Sequence, residues 1–296
     1  MQPGVLWTHL SKAGIVRRLA AAGVRAGHHI VGQLMARHHI GRRQCDKSQH
    51  MGENPGRNAQ FEAVASHVKT YMDSPNPVVS IDTKKRELLG NFKRPGTLYT
   101  QRPPRVFDHD FPSFADGIAI PHGLYDLKRN RGHITLGTSH DTGEFACASI
   151  ETWWRSEGLA AYPDAASLLL LCDCGGSNNA AHHIFKQDLH DLAGRIGLEI
   201  RVAHYPPYAS KYNPIDHRLF PHVTRACKGL VLTTLEQVRE HMAAASTATG
   251  LTVTAGILDR VFETGRKVAA GFNEAMHILR DEVLPKWNYR VLPSPA

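Results

Sequence analysis

No stretch of this 296-residue chain approaches the ~18–20 consecutive apolar residues that a membrane-spanning helix requires, and the most apolar run, Leu168–Cys172, has the length of a buried strand. A secretory leader is not expected either, because Lys12, Arg17 and Arg18 interrupt the short apolar pieces at the start. The five cysteines (Cys45, Cys147, Cys172, Cys174, Cys227) are odd in number and widely scattered, which excludes a disulfide framework and leaves reduced thiols. These absences point away from the membrane and toward a cytoplasmic protein. With 42% hydrophobic and 21% charged residues, wholesale disorder and collagen-like repeats are excluded too. The length predicts about two domains of the usual size.

Acidic residues are scarce at one end. Residues 1–60 hold nine Lys/Arg against only Asp46 and Glu53, a net of +7 out of the chain's +8. Such a concentration is the footprint of a polyanion-binding segment, because each neutralised phosphate releases condensed counterions. Ser11 is placed to N-cap a helix carrying Ile15, Val16 and Leu19, broken near Gly23 and followed by a second periodic stretch with Ile30, Val31, Leu34 and Met35. Two short helices around a glycine predict a helix-turn-helix-like segment over residues 1–45. Arg17, Arg18, Arg25, His28, His29, Arg37, Arg42 and Arg43 are then its candidate DNA contacts. An ordinary basic helical pair on a domain surface has the same composition. His38, His39, Cys45 and His50 match no zinc-finger spacing and read as a solvated basic connection. Residues 46–75 read as a linker, rich in Gly, Asn, Pro and Ser, followed by a helix over 59–72.

Three acids follow, each at the end of a core element. The β-branched run Val78-Val79-Ser80-Ile81 ends in Asp82, and a carboxylate at the edge of a buried strand needs a cation. Lys84 and Lys85 are the ordinary candidates, and a divalent metal is the other. The strand Ser167–Cys172 ends in Asp173 and opens into Cys174-Gly175-Gly176-Ser177-Asn178-Asn179, whose glycines allow a close backbone approach. In Asn213-Pro214-Ile215-Asp216, Asn213 can cap a helix with Pro214 at its first position, which puts Asp216 in the first turn. Each acid alone has a local explanation as a cap or loop anchor. Their recurrence is the layout that holds two Mg²⁺ ions in polynucleotidyl transferases. Strands over 119–128, 133–139 and 198–204, with helices over 142–154 and 179–196, complete an α/β sheet of ribonuclease H-like order.

Several motifs in sequence carry a more specific likeness: Asn58-Ala59-Gln60-Phe61, Ser80-Ile81-Asp82-Thr83-Lys84-Lys85, Gly90-Asn91-Phe92-Lys93, His140-Asp141-Thr142, residues 146–154, the Asp173–Asn178 segment and Trp287-Asn288-Tyr289. With these the chain resembles bacterial insertion-sequence transposases of the Rhodopirellula-type DDE family, relatives in fold of the mariner-like enzymes, over nearly all residues after 55. The resemblance implies a ribonuclease H-like catalytic domain over 76–230 and a helical C-terminal extension over 231–296. It places Asp82, Asp173 and Asp216 on the metal-binding, catalytic triad, with two Mg²⁺ ions for which Mn²⁺ can substitute. The implied partners are the element's terminal repeats and target DNA, on which the protein would act as a homo-oligomer. Two departures stand out: the family usually has Glu at the position of Asp216 and Gly at that of Cys174. Family members also begin further upstream, so the N-terminal segment reads as incomplete.

The activity expected is metal-dependent DNA cleavage followed by transfer of the freed 3′-OH to target DNA. Lys84, Lys85, His217 and Arg218 flank the acids and are candidate phosphate contacts. Two alternatives use the same residues: a truncated, inactive DNA-binding derivative that represses transposition, and a ribonuclease H-like nuclease without strand transfer.

Overall fold

A computed structural model describes residues 5–44, 55–176, 182–268, 271 and 278–293. Cys45, His50, positions 46–54 of the expected linker and Ser177, Asn178 and Asn179 lie outside the described residues. The chain divides into two compact units, Met1–Gly52 and Glu53–Ala296.

In the first unit, helix α1 (Lys12–Ala21) begins where Ser11 Oγ accepts the Gly14 N–H at 3.1 Å, and helix α2 (His28–Arg37) follows a turn in which Gly23 adopts φ +78°. Gly14 and Val31 are buried, while Ile30 and Leu34 stay exposed. Arg17, Arg18, Arg25, His28, His29, Arg37, Arg42 and Arg43 are all exposed, with Arg43 reaching the His39 carbonyl.

The second unit opens with α3 (Arg57–Met72) and β1 (Val78–Thr83), then the short β2 (Glu87–Leu89). A hairpin of β3 (Gly117–Asp126) and β4 (Arg131–Gly137) turns at Asn130, whose φ is +51°. Helix α4 (Gly143–Trp153) is capped by Thr142 and runs through a π-helical turn, Trp154–Gly158, into α5 (Leu159–Ala161). Next come β5 (Ser167–Cys172), α6 (His183–Ile196) and β6 (Glu199–His204). Two short helices, α7 (Ile215–Arg218) and α8 (Phe220–Ala226), and then α9 (Leu235–Ala243) precede β7 (Thr252–Ile257), β8 (Ile278–Arg280) and β9 (Asn288–Val291).

The sheet order is β7-β4-β3-β1-β5-β6-β9-β8, with β2 paired to β3 off this path. Its central five strands run β4-β3-β1-β5-β6; β3 is antiparallel to both its neighbours, and β5 and β6 continue parallel to β1. That order, with helices on both faces, is the ribonuclease H-like fold. One face packs Val79, Ile81, Leu168 and Leu170 against Cys147, Ile150 and Trp153 of α4 and Phe185, Leu189 and Leu192 of α6. On the other face, Val64 and Tyr71 of α3 cover Val78, Leu169 and Leu171, while Ile215, Leu219, Val223, Val238 and Met242 cover Tyr125, Ile134 and Leu136. Burial of these apolar side chains at about 1.5–3 kcal/mol each is the main force holding the layers together.

The expected helical extension over 231–296 is corrected: among the described residues it holds one helix and three strands. Past Gly250, at φ +91°, the alternating run Thr252-Val253-Thr254 joins β4 in parallel, and Asn288–Val291 pairs with β6. The physical reason is the open hydrogen-bonding edges that β4 and β6 would otherwise present. No helix among the described residues is long and apolar enough to cross a membrane.

Candidate active site

The β1–β5 ladder pairs Val78 with Leu169, Val79 with Leu170 and Ser80 with Leu171. Continued two residues further, that register sets Asp82 opposite Asp173, at the C-terminal ends of adjacent parallel strands. On its other side Asp82 pairs with Gly123 of β3. A Cβ on Gly123 would lie 2.6 Å from the Phe220 ring and 2.9 Å from Ile215 Cδ1, and one on Gly132 would lie 2.3 Å from Leu219 Cδ1. These two glycines let α7 and α8 lie directly on β3 and β4, and so bring Asp216, the second residue of α7, to the same end of the sheet.

The three carboxyls feel one another. Burial and then the Asp173 carboxylate push the Asp82 carboxyl up to about 7; Asp216 and Asp141 add to the rise, and the Thr83 N–H, donated to Asp82 Oδ1 at 2.7 Å, opposes it. Burial also raises Asp173, against the Gly175 N–H that donates to its Oδ1 at 3.0 Å, and Asp141 raises it further. Asp216 is raised by burial and by Asp173 and lowered by His217. Gly175 has a steric role here, since a Cβ at that position would sit 2.9 Å from Asp173 Oδ2. The neighbouring Cys174 thiol is pushed up to about 12 by burial and by Asp173, so it stays protonated beside the acid.

Among the described residues no group of three or more His, Cys, Asp or Glu side chains encloses a single metal position. The donor set nevertheless fits a hard divalent cation: all the converging groups are carboxylates, and a cation between them would offset the burial and mutual repulsion that push them up.

The flanking basic residues separate into two kinds. Lys84 is half-buried and tied to Glu87 Oε1 at 2.5 Å, with Arg94 on the same carboxylate, so it closes the β1–β2 turn. Lys85, His217 and Arg218 are exposed, and His217 Nε2 meets the Lys211 carbonyl. Lys85 lines a cleft of about 330 Å³ together with Thr83, Arg86, Ile118, Ser139, His140 and Asp141.

Three further positions, to which the sequence reading gives no role at the site, lie around these acids. Asp141, which the sequence reading names only within the His140-Asp141-Thr142 motif, accepts a 2.9 Å bond from Thr83 Oγ1 and is a fourth carboxylate at this end of the sheet. His204 is fully buried, and burial holds its imidazole down at about 4. The neutral ring donates Nδ1–H to the Asp173 carbonyl at 3.0 Å and accepts the Tyr289 hydroxyl at Nε2, 3.1 Å away. Gln60 of α3 donates to the His204 carbonyl and exchanges amide hydrogen bonds with Asn288, so α3, β6 and β9 together brace the loop of the second acid. Asn213, expected to cap α7, makes no such bond; its side chain turns inward to β1.

The family model described as Rhodopirellula transposase DDE domain matches residues 1–293 of the chain. No curated protein sequence matches it. Among solved structures, "Mos1 transposase paired-end complex with left transposon end" is similar at 13% identity and a TM-score of 0.43, covering 81% of this chain and 72% of that one. "Crystal structure of the Mos1 mariner paired end complex with Mn" is similar at 14% identity and a TM-score of 0.46, covering 78% of this chain and 65% of that one.

Proposed function

The chain belongs to the Rhodopirellula transposase DDE-domain family, and from that premise we propose that it is a DNA transposase that cleaves phosphodiester bonds at the ends of its element and joins the freed 3′-OH to target DNA. The observation that carries this reading is the meeting of Asp82, Asp173 and Asp216 at one end of a ribonuclease H-like sheet, close enough for each of the other two to raise the Asp82 pKa.

In this reading Asp82, Asp173 and Asp216 hold the divalent ions. When bound, such ions supply a nucleophile activated at neutral pH and a counter-charge for the leaving oxygen. The chain's own contribution is placement. Asp82, on the central strand, would hold an ion together with its neighbours; Asp173 reaches in from the adjacent strand with its carbonyl held by His204; Asp216 comes from the helix lying on β3. Lys85, Arg86 and His140 line the adjoining cleft and give the DNA backbone a basic wall. Arg218, exposed one turn from the acids, serves the same purpose on the α7 side, and His217 steadies the Asp216 carboxylate. The exposed arginines and histidines of the Met1–Gly52 unit supply phosphate contacts at the element ends.

Both steps are in-line displacements at phosphorus. In the first, a water oxygen bonds to phosphorus and the 3′-oxygen leaves with the proton; in the second, that 3′-OH attacks a target phosphodiester and displaces a new 3′-oxygen. No covalent enzyme intermediate is required. The test supplies a pre-cleaved terminal-repeat duplex from the DNA flanking the coding sequence, plasmid target DNA and Mg²⁺. Covalently joined product is expected. Nicking of DNA without joining would favour a nuclease, and DNA binding without either reaction would favour a repressor.

A further inference from the structure

We infer that Ser80 and Asn213 form a latch that positions the third acid, Asp216, against the first, Asp82; the inference rests on the transposase reading of these carboxylates. Both latch residues are completely buried. The Ser80 hydroxyl accepts the Ile215 N–H at 3.0 Å and donates to Asn213 Oδ1 at 2.5 Å. Asn213 Nδ2 donates to the Ile81 carbonyl at 3.1 Å, just beyond the last Ser80–Leu171 pair of the β1–β5 ladder. The Asn213 carbonyl in turn accepts the Asp216 N–H at 3.1 Å. Three hydrogen bonds therefore tie the backbone flanking Asp82 to the Asn213–Ile215 segment, and a fourth, inside that segment, carries the tie on to Asp216.

The latch satisfies two needs together. Helix α7 has four residues and no side-chain cap, so it is too short to hold its own geometry. The latch supplies a partner for its first N–H and fixes its distance from β1. Serine is small enough to sit under the helix start, and the Asn213 amide supplies the acceptor and the donor used here from two separate atoms. A polar pair serving only the core would have no reason to bracket two acids in this way. Ser80 lies two residues before Asp82 on the same face of the strand, and Asn213 lies three residues before Asp216.

The experiment compares Ser80→Ala, Ser80→Thr and Asn213→Ala in the full chain. Mn²⁺ affinity is read from the free-ion signal in electron paramagnetic resonance, amide exchange at Ile215 and Asp216 by hydrogen–deuterium measurements, and fold by circular dichroism. Loss of such supporting hydrogen bonds typically weakens metal affinity by ~10–100-fold, and that loss is expected for Ser80→Ala and Asn213→Ala. Faster exchange at Ile215 and Asp216 should accompany it, with recovery of both in Ser80→Thr, which restores the hydroxyl. The double variant should be no worse than either single one, because the latch acts as a unit. Should Asn213→Ala fail to fold, the Ser80 pair carries the comparison alone. Wild-type affinity and wild-type exchange in Ser80→Ala would overturn the latch. Failure of the underlying reading looks different: the wild type would then bind Mn²⁺ no better than Asp82→Ala, whatever the exchange at Ile215 and Asp216.

Discussion

Asp82→Asn should stabilise the metal-free protein, and by an amount that depends on pH in a defined way. The folded-state carboxyl titrates near 7, against 3.8 for the unperturbed side chain, because burial and the Asp173 carboxylate disfavour its charge. A folded pKa above the unfolded one means that the folded state keeps its proton while the unfolded state has lost it. Between about pH 4 and pH 7, then, stability falls as pH rises, and above pH 7 the whole penalty is present. About three pH units at 1.36 kcal/mol each is roughly 4 kcal/mol at pH 8 and roughly 1.5 kcal/mol at pH 5. Asparagine keeps the shape and an acceptor for the Thr83 N–H while removing the charge. In EDTA at pH 8 the variant should unfold about 10 °C above the wild type, since 1 kcal/mol moves the midpoint by ~2–4 °C in a domain of 150–250 residues. At pH 5 the gap should shrink to less than half. Saturating Mn²⁺ should narrow or reverse the order, because a cation that binds only the folded state stabilises the wild type more. Equal midpoints at pH 8 in EDTA, or a gap unchanged between pH 8 and pH 5, would refute the claim that Asp82 is an uncompensated buried acid awaiting a cation.

Asp82→Ala, Asp173→Ala and Asp216→Ala should each abolish cleavage and joining while circular dichroism and gel-shift binding of terminal-repeat DNA stay near wild type; a variant that still cuts at the wild-type rate removes that acid from the site. Gly132→Ala puts a methyl 2.3 Å from Leu219 Cδ1, so overpacking of about 1–3 kcal/mol is expected. Cleavage should fall with it, as α7 and α8 are displaced, and an unchanged melting temperature would show that the helices do not rest on this glycine. Deleting residues 1–45 should weaken binding to element ends and flatten its logarithmic salt dependence by ~0.9 for every phosphate the shortened chain no longer neutralises. Identical slopes and identical end preference in the two proteins would take the DNA-reading role away from this segment.

The parts of the fold that announce themselves are those with a dominant local signal. Residues 78–83 and 167–172 are β-branched or leucine-rich and largely buried, and α3, α4 and α6 carry helical periodicity. The strands after residue 245 are edge or near-edge strands. β7 is half-exposed and β8 spans three residues, so their apolar content is too low to outweigh the helical expectation. Their identity as strands comes from the partners they complete, β4 and β6, and those lie more than a hundred and about ninety residues away in sequence.

The acids stand out in the sequence because a carboxylate after an apolar strand conflicts with its surroundings, and such a conflict makes a residue a candidate for a site. The separation between the first two also has a structural meaning. Asp82 and Asp173 are 91 residues apart, the same offset as Val78 and Leu169, so any insertion between β1 and β5 is tolerated only if it leaves this pairing intact. Asp141 and Asn213 were hidden for the opposite reason: each has a satisfactory local explanation, one before a helix and one at a helix start. Asn213 shows how that explanation fails. Its capping bond to α7 would satisfy one N–H at the surface, worth about 1 kcal/mol, whereas turning inward satisfies both Ser80 and the Ile81 carbonyl in a dry interior, where leaving either unpaired costs about 1–3 kcal/mol. The larger penalty decides the rotamer. The residue that would have capped a surface helix becomes instead the link between two acids more than a hundred and thirty positions apart.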